Sequence, residues 1–499
     1  MKNKNKYLFL KPSGTIIMFI IIVQFTIGCN DFLEVTPREE IAIEEQFSTY
    51  DGALQALNGT YLKTEDLISS NSFIYADLMG GNLTFTPIRT GSNTGIINIF
   101  FQVEDIYNFN ATAISSSFND NYLNSYYIIN SINNILFYTN SLNATTEQKN
   151  QLRAEALALR GFIHFNLLQL FSQNYNFTPG ASHLGIVYAD KTIIGGVDFP
   201  KRLTVAESYD RVVKDLTDAI ALFTNQQSLQ GPKYSFFNSI NTKALLARVA
   251  LQKRDWSLAL TNANEVIATS GTTLLTAINY VSEWEKPNLP VSEAILEFTA
   301  PLADDGSIIS SSISEYYKFI KSNNVIIDYG RYAASGDVMN LFEPGDIRRQ
   351  AFIENQLPVK TTSGTNNQTF YFTKKFQDNP GTISIRLSEM YLILAEAQAR
   401  LGNSSLALDA LNVIRTRANI AALTTPTNLL EQIFLERRRE LCLEGHLFFD
   451  IARYGKNVTR NSGCISSVCN LTYPNPKYVL PIPFDTLKVN ENMIQNESY

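Results

Sequence analysis

The chain is short of the residues that most active sites are built from. Its 499 residues include 3 His, 4 Cys and 2 Trp. His164, His183 and His446 stand far apart and no Cys-x-x-Cys pair occurs, so no local spacing suggests a metal cluster. G-x-S-x-G, H-E-x-x-H, a Walker loop and a dinucleotide fingerprint are all absent. His164 falls mid-helix and His446 follows Glu444-Gly445, with no nucleophile placed beside either. A glycosidase carboxylate pair cannot be singled out among 47 acidic residues. The expectation is therefore a chain that is not an enzyme, with no catalytic residues, no metal and no cofactor. Charged residues are also scarce, at 18% with a net charge of −6, which argues against nucleic acid, since phosphate binding needs a concentrated basic surface. Beyond residue 28 no apolar run reaches the roughly 18 residues of a membrane-spanning helix.

What is present begins with an address. Lys2, Lys4, Lys6 and Lys11 precede the apolar stretch Ile16–Ile27, and Gly28-Cys29 follow at once. An apolar stretch of about 12 residues suits a signal-peptide core better than a bilayer span. Residues 1–28 read as a lipoprotein signal peptide, with Cys29 as the lipidated residue, although Thr26 stands where a lipobox usually has Leu. Several acyl chains together would anchor the protein durably. Among the other cysteines, Cys442 lies in a helical run and reads as a buried thiol. Cys464 and Cys469 flank a short loop in a chain that leaves the cytoplasm, where a disulfide is expected.

From residue 120 onward apolar residues recur at helical spacing. Leu387, Met390, Tyr391, Leu394, Ala395 and Leu401 line one face; Gly402-Asn403 then breaks the helix, and a second stripe runs through Ala407, Ala410, Leu411, Ile414 and Ala418. The same unit recurs as Lys243–Gln252 followed by a helix from Trp256. Longer versions pair 147–171 with 204–223, and about 48–63 with 120–140. Helix pairs of this size predict a mostly α fold: a tetratricopeptide-like array of about four pairs, with long irregular loops and minor β-hairpins. In Glu436-Arg437-Arg438-Arg439-Glu440 successive side chains fan out by about 100°, so buried pairing with Glu389, Glu396, Glu444 or Asp450 is expected rather than one anion site. Trp256 is expected to pack between hairpins, and Trp284 to serve as core or loop anchor.

Residues 66–119 and 271–385 resist the helical reading, being rich in Gly, Asn, Ser and Thr; a small sheet is expected near Ala294–Phe298 and Thr369–Phe376. Long irregular segments in such an array carry function. The first contains Phe85, Phe100, Phe101 and Tyr107; the second contains Tyr316, Tyr317, Tyr329 and Tyr332, with Arg331. Sugar rings pack their C–H faces on aromatic rings while Asn, Arg and Asp meet the hydroxyls. Phe85, Phe101, Tyr107, Tyr316, Tyr317, Tyr329, Arg331 and Tyr332 are therefore the candidate contacts for an oligosaccharide or peptide.

Ordered along the chain, several segments resemble the SusD/RagB family of Bacteroidetes outer-membrane lipoproteins. Cys29-Asn30-Asp31-Phe32-Leu33-Glu34 with Pro37 comes first, then Ala154–Phe162, Pro200–Thr204 with Glu207 and Tyr209, and Ala244–Val249 with Trp256. The most specific part is C-terminal: Arg386–Tyr391, Ala395-Glu396-Ala397, Leu411–Ala418, Glu436–Leu441, Glu444-Gly445-His446, Phe449-Asp450-Ile451 and Leu480-Pro481-Ile482-Pro483. Departures are local: Phe171-Ser172-Gln173-Asn174-Tyr175 replaces a Phe-Gly-x-x-Pro turn, and Asn496-Glu497-Ser498-Tyr499 a terminal Asn-Pro-Gly-Tyr. The resemblance implies an outer-membrane, lipid-anchored location facing the cell exterior. It further implies a SusC-like TonB-dependent transporter as partner and nutrient binding without turnover; the alternative is a helical-repeat scaffold that binds no nutrient. The expected divisions are 1–28 signal peptide, 29–47 tether, 48–270 N-terminal helical region, 271–385 loop-rich ligand face and 386–499 C-terminal helical region.

Overall fold

In a computed structural model the described residues are 43–499, except 225, 287–289, 300–311, 324, 379–380 and 426. The signal peptide and Cys29 lie outside them. The main helices are α1 (Tyr50–Ile68), α2 (Asn71–Gly80), α3 (Asn119–Tyr138), α4 (Thr146–Phe171), α5 (Val205–Leu222), α6 (Ser239–Lys253), α7 (Trp256–Thr269), α8 (Leu387–Arg400), α9 (Ser404–Arg417), α10 (Leu429–Glu440) and α11 (Leu447–Tyr454). Four antiparallel pairs form the tetratricopeptide-like array: α1 with α3, α4 with α5, α6 with α7, and α8 with α9. Successive pairs also touch, α3 on α4, α5 on α6 and α7 on α8, which makes one continuous core.

Local chemistry sets the ends of these helices. Thr145 and Thr204 each begin a helix with a reciprocal capping box, to Gln148 and Glu207. Between α8 and α9 the chain turns at Gly402, whose φ of +86° suits a residue without Cβ. Buried alanines, among them Ala244, Ala247, Ala259, Ala263, Ala395 and Ala407, let paired helices approach closely.

The array is wired by buried arginines. Arg437 pairs with Glu389 at 3.2 Å and Asp450 at 2.8 Å, and Arg453 with Glu396 at 2.7 Å and Asp450 at 2.5 Å. Arg386 meets Glu293, Glu440 (2.6 Å) and Glu444 (2.7 Å). Arg438 is the exception in the arginine run, donating to Asn82 Oδ1 at 2.8 Å. Burial alone would raise the Glu389 carboxyl, but Arg248 and Arg437 outweigh it and hold it far below the usual range.

The strands are β1 (Leu83–Phe85), β2 (Ala294–Phe298), β3 (Phe319–Ser322), β4 (Val325–Tyr329), β5 (Tyr332–Ala334), β6 (Phe352–Thr361), β7 (Gly364–Thr373), β8 (Thr382–Arg386), β9 (Val458–Thr459) and β10 (Asn470–Leu471). The antiparallel sheet β1-β5-β7-β6 spans both stretches that resisted a helical reading. Ala294–Phe298 does form a strand, but it pairs with Thr382–Arg386; Thr369–Thr373 belongs to the β6–β7 hairpin instead. Cys464 and Cys469 are joined as a disulfide, and Cys442 is buried and free. Among the described residues no helix is long and apolar enough to cross a membrane.

Candidate functional site

β1 and β5 bring the two aromatic stretches together. Phe85 faces Tyr332 in register, and their ring centroids lie 5.4 Å apart. Phe85 also meets Phe100 at 5.6 Å and Tyr107 at 5.0 Å, while Tyr332 meets Phe100 at 6.0 Å and Tyr316 at 6.0 Å. Such edge-on and tilted contacts are favourable aromatic geometry.

This packing corrects half of the candidate list. Phe85, Tyr107, Tyr317 and Tyr332 are fully buried and cannot touch a ligand. Tyr317 lies against Phe376, and Arg460 covers Tyr107 with its guanidinium 4.1 Å from the ring. The physical reason is that these Gly- and Asn-rich stretches are not bare loops. Strands carry Phe85 and Tyr332 inward and short helical turns, Glu104–Tyr107 and Ser314–Tyr317, do the same for Tyr107 and Tyr317, while Ile326, Leu357, Val359, Phe370 and Phe372 make a small core of their own.

The remaining candidates stay at the surface. Phe101 is 79% exposed and begins a short 3-10 turn, Phe101–Val103. Arg331 is exposed, with its guanidinium 5.3 Å over the Phe100 ring. Tyr316 and Tyr329 are half-buried, and burial raises both phenols above their ordinary value, against the pull of Arg331 and Arg89 respectively. Tyr329 sits apart from the others on β4, packed on Phe372 at 5.6 Å and beneath Arg89 at 5.7 Å. Phe101, Arg331 and Tyr316 thus form one group around Phe100, with Tyr329 at its margin.

Tyr316 links this group to a groove. Its Oη donates to Asn71 Oδ1 at 3.3 Å, and Asn71 Nδ2 donates to the Gln102 carbonyl at 3.3 Å. Asn71 in turn lines a cavity of about 570 Å³ between the end of α1, the start of α2 and α3, together with Asp66, Ser72, Asn121, Asn124 and Tyr127. Tyr127 is 68% exposed at its edge. The volume is that of a small-molecule or oligosaccharide site, and its lining offers amide and hydroxyl partners with an open ring. The sequence reading missed this groove because it treated α3 as a packing helix. A signal was nonetheless there: α3 holds six Asn and only one charged residue, Asp120.

Among the described residues no group of three His, Cys, Asp or Glu side chains is placed to hold a metal ion. His164 is sealed in the core: its Nε2 accepts from the Ala189 N–H at 3.1 Å, which leaves Nδ1 to donate to the Arg160 carbonyl at 2.9 Å. Burial and the nearby Arg160 push that imidazole down to about 3.

Two family models match the chain. The SusD family matches residues 352–499, and a family described as starch-binding associating with outer membrane matches residues 32–251. SusD-like protein P25 of Formosa agariphila is 23% identical, over 97% of this chain and 98% of that protein. Starch-binding protein SusD of Bacteroides thetaiotaomicron is 35% identical over 120 residues, 23% of this chain and 21% of that protein. Among solved structures, a SusD superfamily protein from Bacteroides thetaiotaomicron superposes with a TM-score of 0.77 at 25% identity, covering 90% of this chain and 99% of that one. A sugar-binding protein from Bacteroides vulgatus, so described as putative, gives 0.75 at 26% identity, covering 91% and 99%. With both ends matched by family models and the array shared with solved members, the chain belongs to the SusD/RagB family.

Proposed function

We propose that this protein binds an oligosaccharide nutrient at the cell surface without turning it over. The observation that carries this reading is the groove at Asn71. Beside Lys63, Asp66 and Asp120 it offers several amide and hydroxyl groups and the exposed ring of Tyr127, and Asn71 ties it to Tyr316. A glycan is recognised by that combination: ring faces stack on aromatic faces while amides satisfy hydroxyls. The sugar- and starch-binding descriptions of its relatives favour the same class of ligand.

In this reading the lipid on Cys29 holds the protein on the outer membrane, facing the exterior. The ligand-bearing face closes over a SusC-like TonB-dependent transporter, which takes up the captured sugar. Isothermal titration of the purified protein against a panel of neutral oligosaccharides and peptides tests the binding step. Saturable binding to one glycan class, weakened by Phe101→Ala and by Tyr127→Ala, supports it. Saturable binding to no member of the panel would sink it in favour of a scaffold. New reducing ends that track with the protein would replace binding by catalysis.

A further inference from the structure

Helix α3 carries Leu123, Tyr127, Asn130, Asn134 and Phe137 along one stripe, at the spacing that puts residues on a shared face. Its N-terminal half, at Tyr127, opens to the groove. Its C-terminal half does something else. Residues 189–193 are laid along it by side-chain amides. Asn130 donates to the Ile193 carbonyl at 3.1 Å and accepts from the Ile193 N–H at 3.0 Å. Asn133 donates to the Ala189 carbonyl at 3.0 Å, and Thr192 donates to Asn134 Oδ1 at 3.0 Å.

The next turn, Ile194 to Phe199, closes on itself around Ile194. Asp198 accepts from the Ile194 N–H at 2.8 Å, and the Ile194 carbonyl accepts from Val197 and Asp198 at 3.1 and 2.9 Å. The turn presents Ile194, Val197 and Phe199 to solvent around Gly195-Gly196. Val197 is 67% exposed, and Phe137, one turn beyond Asn134, is 73% exposed. Single exposed apolar residues are ordinary; a group of them around one turn marks a contact surface.

Two further observations say what covers it. Leu136, next to Phe137, borders a cavity of about 530 Å³ that also takes in Arg153, Arg211 and Lys214. Arg211 is paired with Asp190 at 3.3 Å and Lys214 with Asp218 at 2.6 Å, but Arg153 donates to the Asn140 amide oxygen at 2.8 Å and has no carboxylate partner among the described residues. Lys191, at the foot of the turn, is exposed but already paired with Asp198 of the turn at 3.5 Å, which leaves Arg153 as the cation without a carboxylate here. Finally, the described chain enters at this same end. Phe47 stacks on Tyr138 at 4.9 Å, directly after the short helix Ile43–Gln46. Residues 29–42 reach at most roughly 50 Å, so a membrane holding Cys29 stays within reach of this face.

We propose that this face rests on an anionic bilayer surface. Phe137, Ile194, Val197 and Phe199 enter the headgroup boundary, and Arg153 meets the phosphates. The lipid anchor of the functional reading only places the membrane nearby; the contact itself is tested without it. Residues 29–499 carrying Cys29→Ser, and hence no acyl chain, are floated with vesicles of phosphatidylcholine alone or with about one third phosphatidylglycerol. The expected result is several-fold more bound protein on the anionic vesicles. Phe137→Asp, or Ile194→Asp with Val197→Asp, reduces binding about tenfold; Arg153→Glu removes the preference for anionic lipid. Val325→Asp, on the distant β3–β4 hairpin, leaves binding unchanged.

Circular dichroism and oligosaccharide titration on the same samples show that the variants are folded. They also keep a failed glycan reading separate from a failed membrane one. No association with either vesicle, or association indifferent to these substitutions, overturns the proposal. Equal binding to neutral and anionic vesicles overturns the role given to Arg153. Self-association without lipid that the same substitutions abolish would assign the face to a second copy of the chain.

Discussion

Arg386 and Phe85 are almost equally buried, at 1% and 0% exposure, yet they hold their surroundings in different ways. Around Arg386 the C-terminal helices are fastened by directional contacts: one guanidinium reaches Glu293, Glu440 and Glu444, and Lys375 reaches Glu444 at 2.7 Å. Around Phe85 the side chains of the loop-rich face are held by ring packing, without buried ion pairs to Phe85 or its ring partners among the described residues. A network of buried charges tolerates no shift, because each displaced partner leaves an uncompensated ion. Packed rings tolerate small adjustments at modest cost. The difference separates a rigid frame from a face that adapts to a ligand.

The sharpest way to break this comparison is to remove the guanidinium. Arg386→Met leaves three carboxylates facing one another, and is expected to cost about 3–5 kcal/mol in chemical denaturation, or to prevent folding. Phe85→Ala opens a cavity in the aromatic cluster and is expected to cost about 3–4 kcal/mol; ligand affinity falls with it, since Phe100, which lies under Arg331, loses its backing. If Phe85→Ala destabilises by less than about 1 kcal/mol, the face has no core of its own.

A smaller effect comes from pH. Because His164 is neutral in the fold and its value lies at about 3, well below the ordinary 6.5, the unfolded chain takes up the proton first. Stability from this group is therefore complete above pH 6.5 and declines as pH falls towards 3, by about 2 kcal/mol at pH 5. Gln supplies one acceptor and one donor without titrating, so His164→Gln should flatten that slope in denaturation curves at pH 7 and pH 5. The smallest effect on folding belongs to Phe101→Ala. Unfolding should change by less than about 0.5 kcal/mol, while oligosaccharide affinity drops about tenfold.

The helical frame was legible because its signals are local. Periodicity and the Gly402 break predict the α8–α9 pair, and the angular fan of residues 437–439 predicts buried pairing, which Arg437 and Arg439 make. The face was not legible in the same way. Whether Tyr316 or Tyr317 points outward depends on a four-residue helical turn, Ser314–Tyr317, and on what β5 brings beside it. Spacing along the chain contains neither. The strand partner of Ala294–Phe298 was misjudged for a similar reason: Thr382–Arg386 lies far along the chain at the end of the stretch that resisted a helical reading, and only the fold brings the two together. The groove at Asn71 depends on α1, α2 and α3 meeting, which is a tertiary fact.

The antiparallel pairing of β2 with β8 has one more consequence. α7 packs directly on α8 although more than a hundred residues separate them in the chain. The two strands bring the ends of that long excursion out of the frame side by side, like a socket. Loop closure grows only slowly in cost with length, so an exposed tip of the excursion, such as the turn between β6 and β7, can be lengthened or trimmed while the ends stay fixed. The roots of the excursion are not free in the same way, because Arg348 reaches Glu436 and Glu440 and Lys375 reaches Glu444 in the frame, so a foreign segment is better grafted at that hairpin tip than at the two strands.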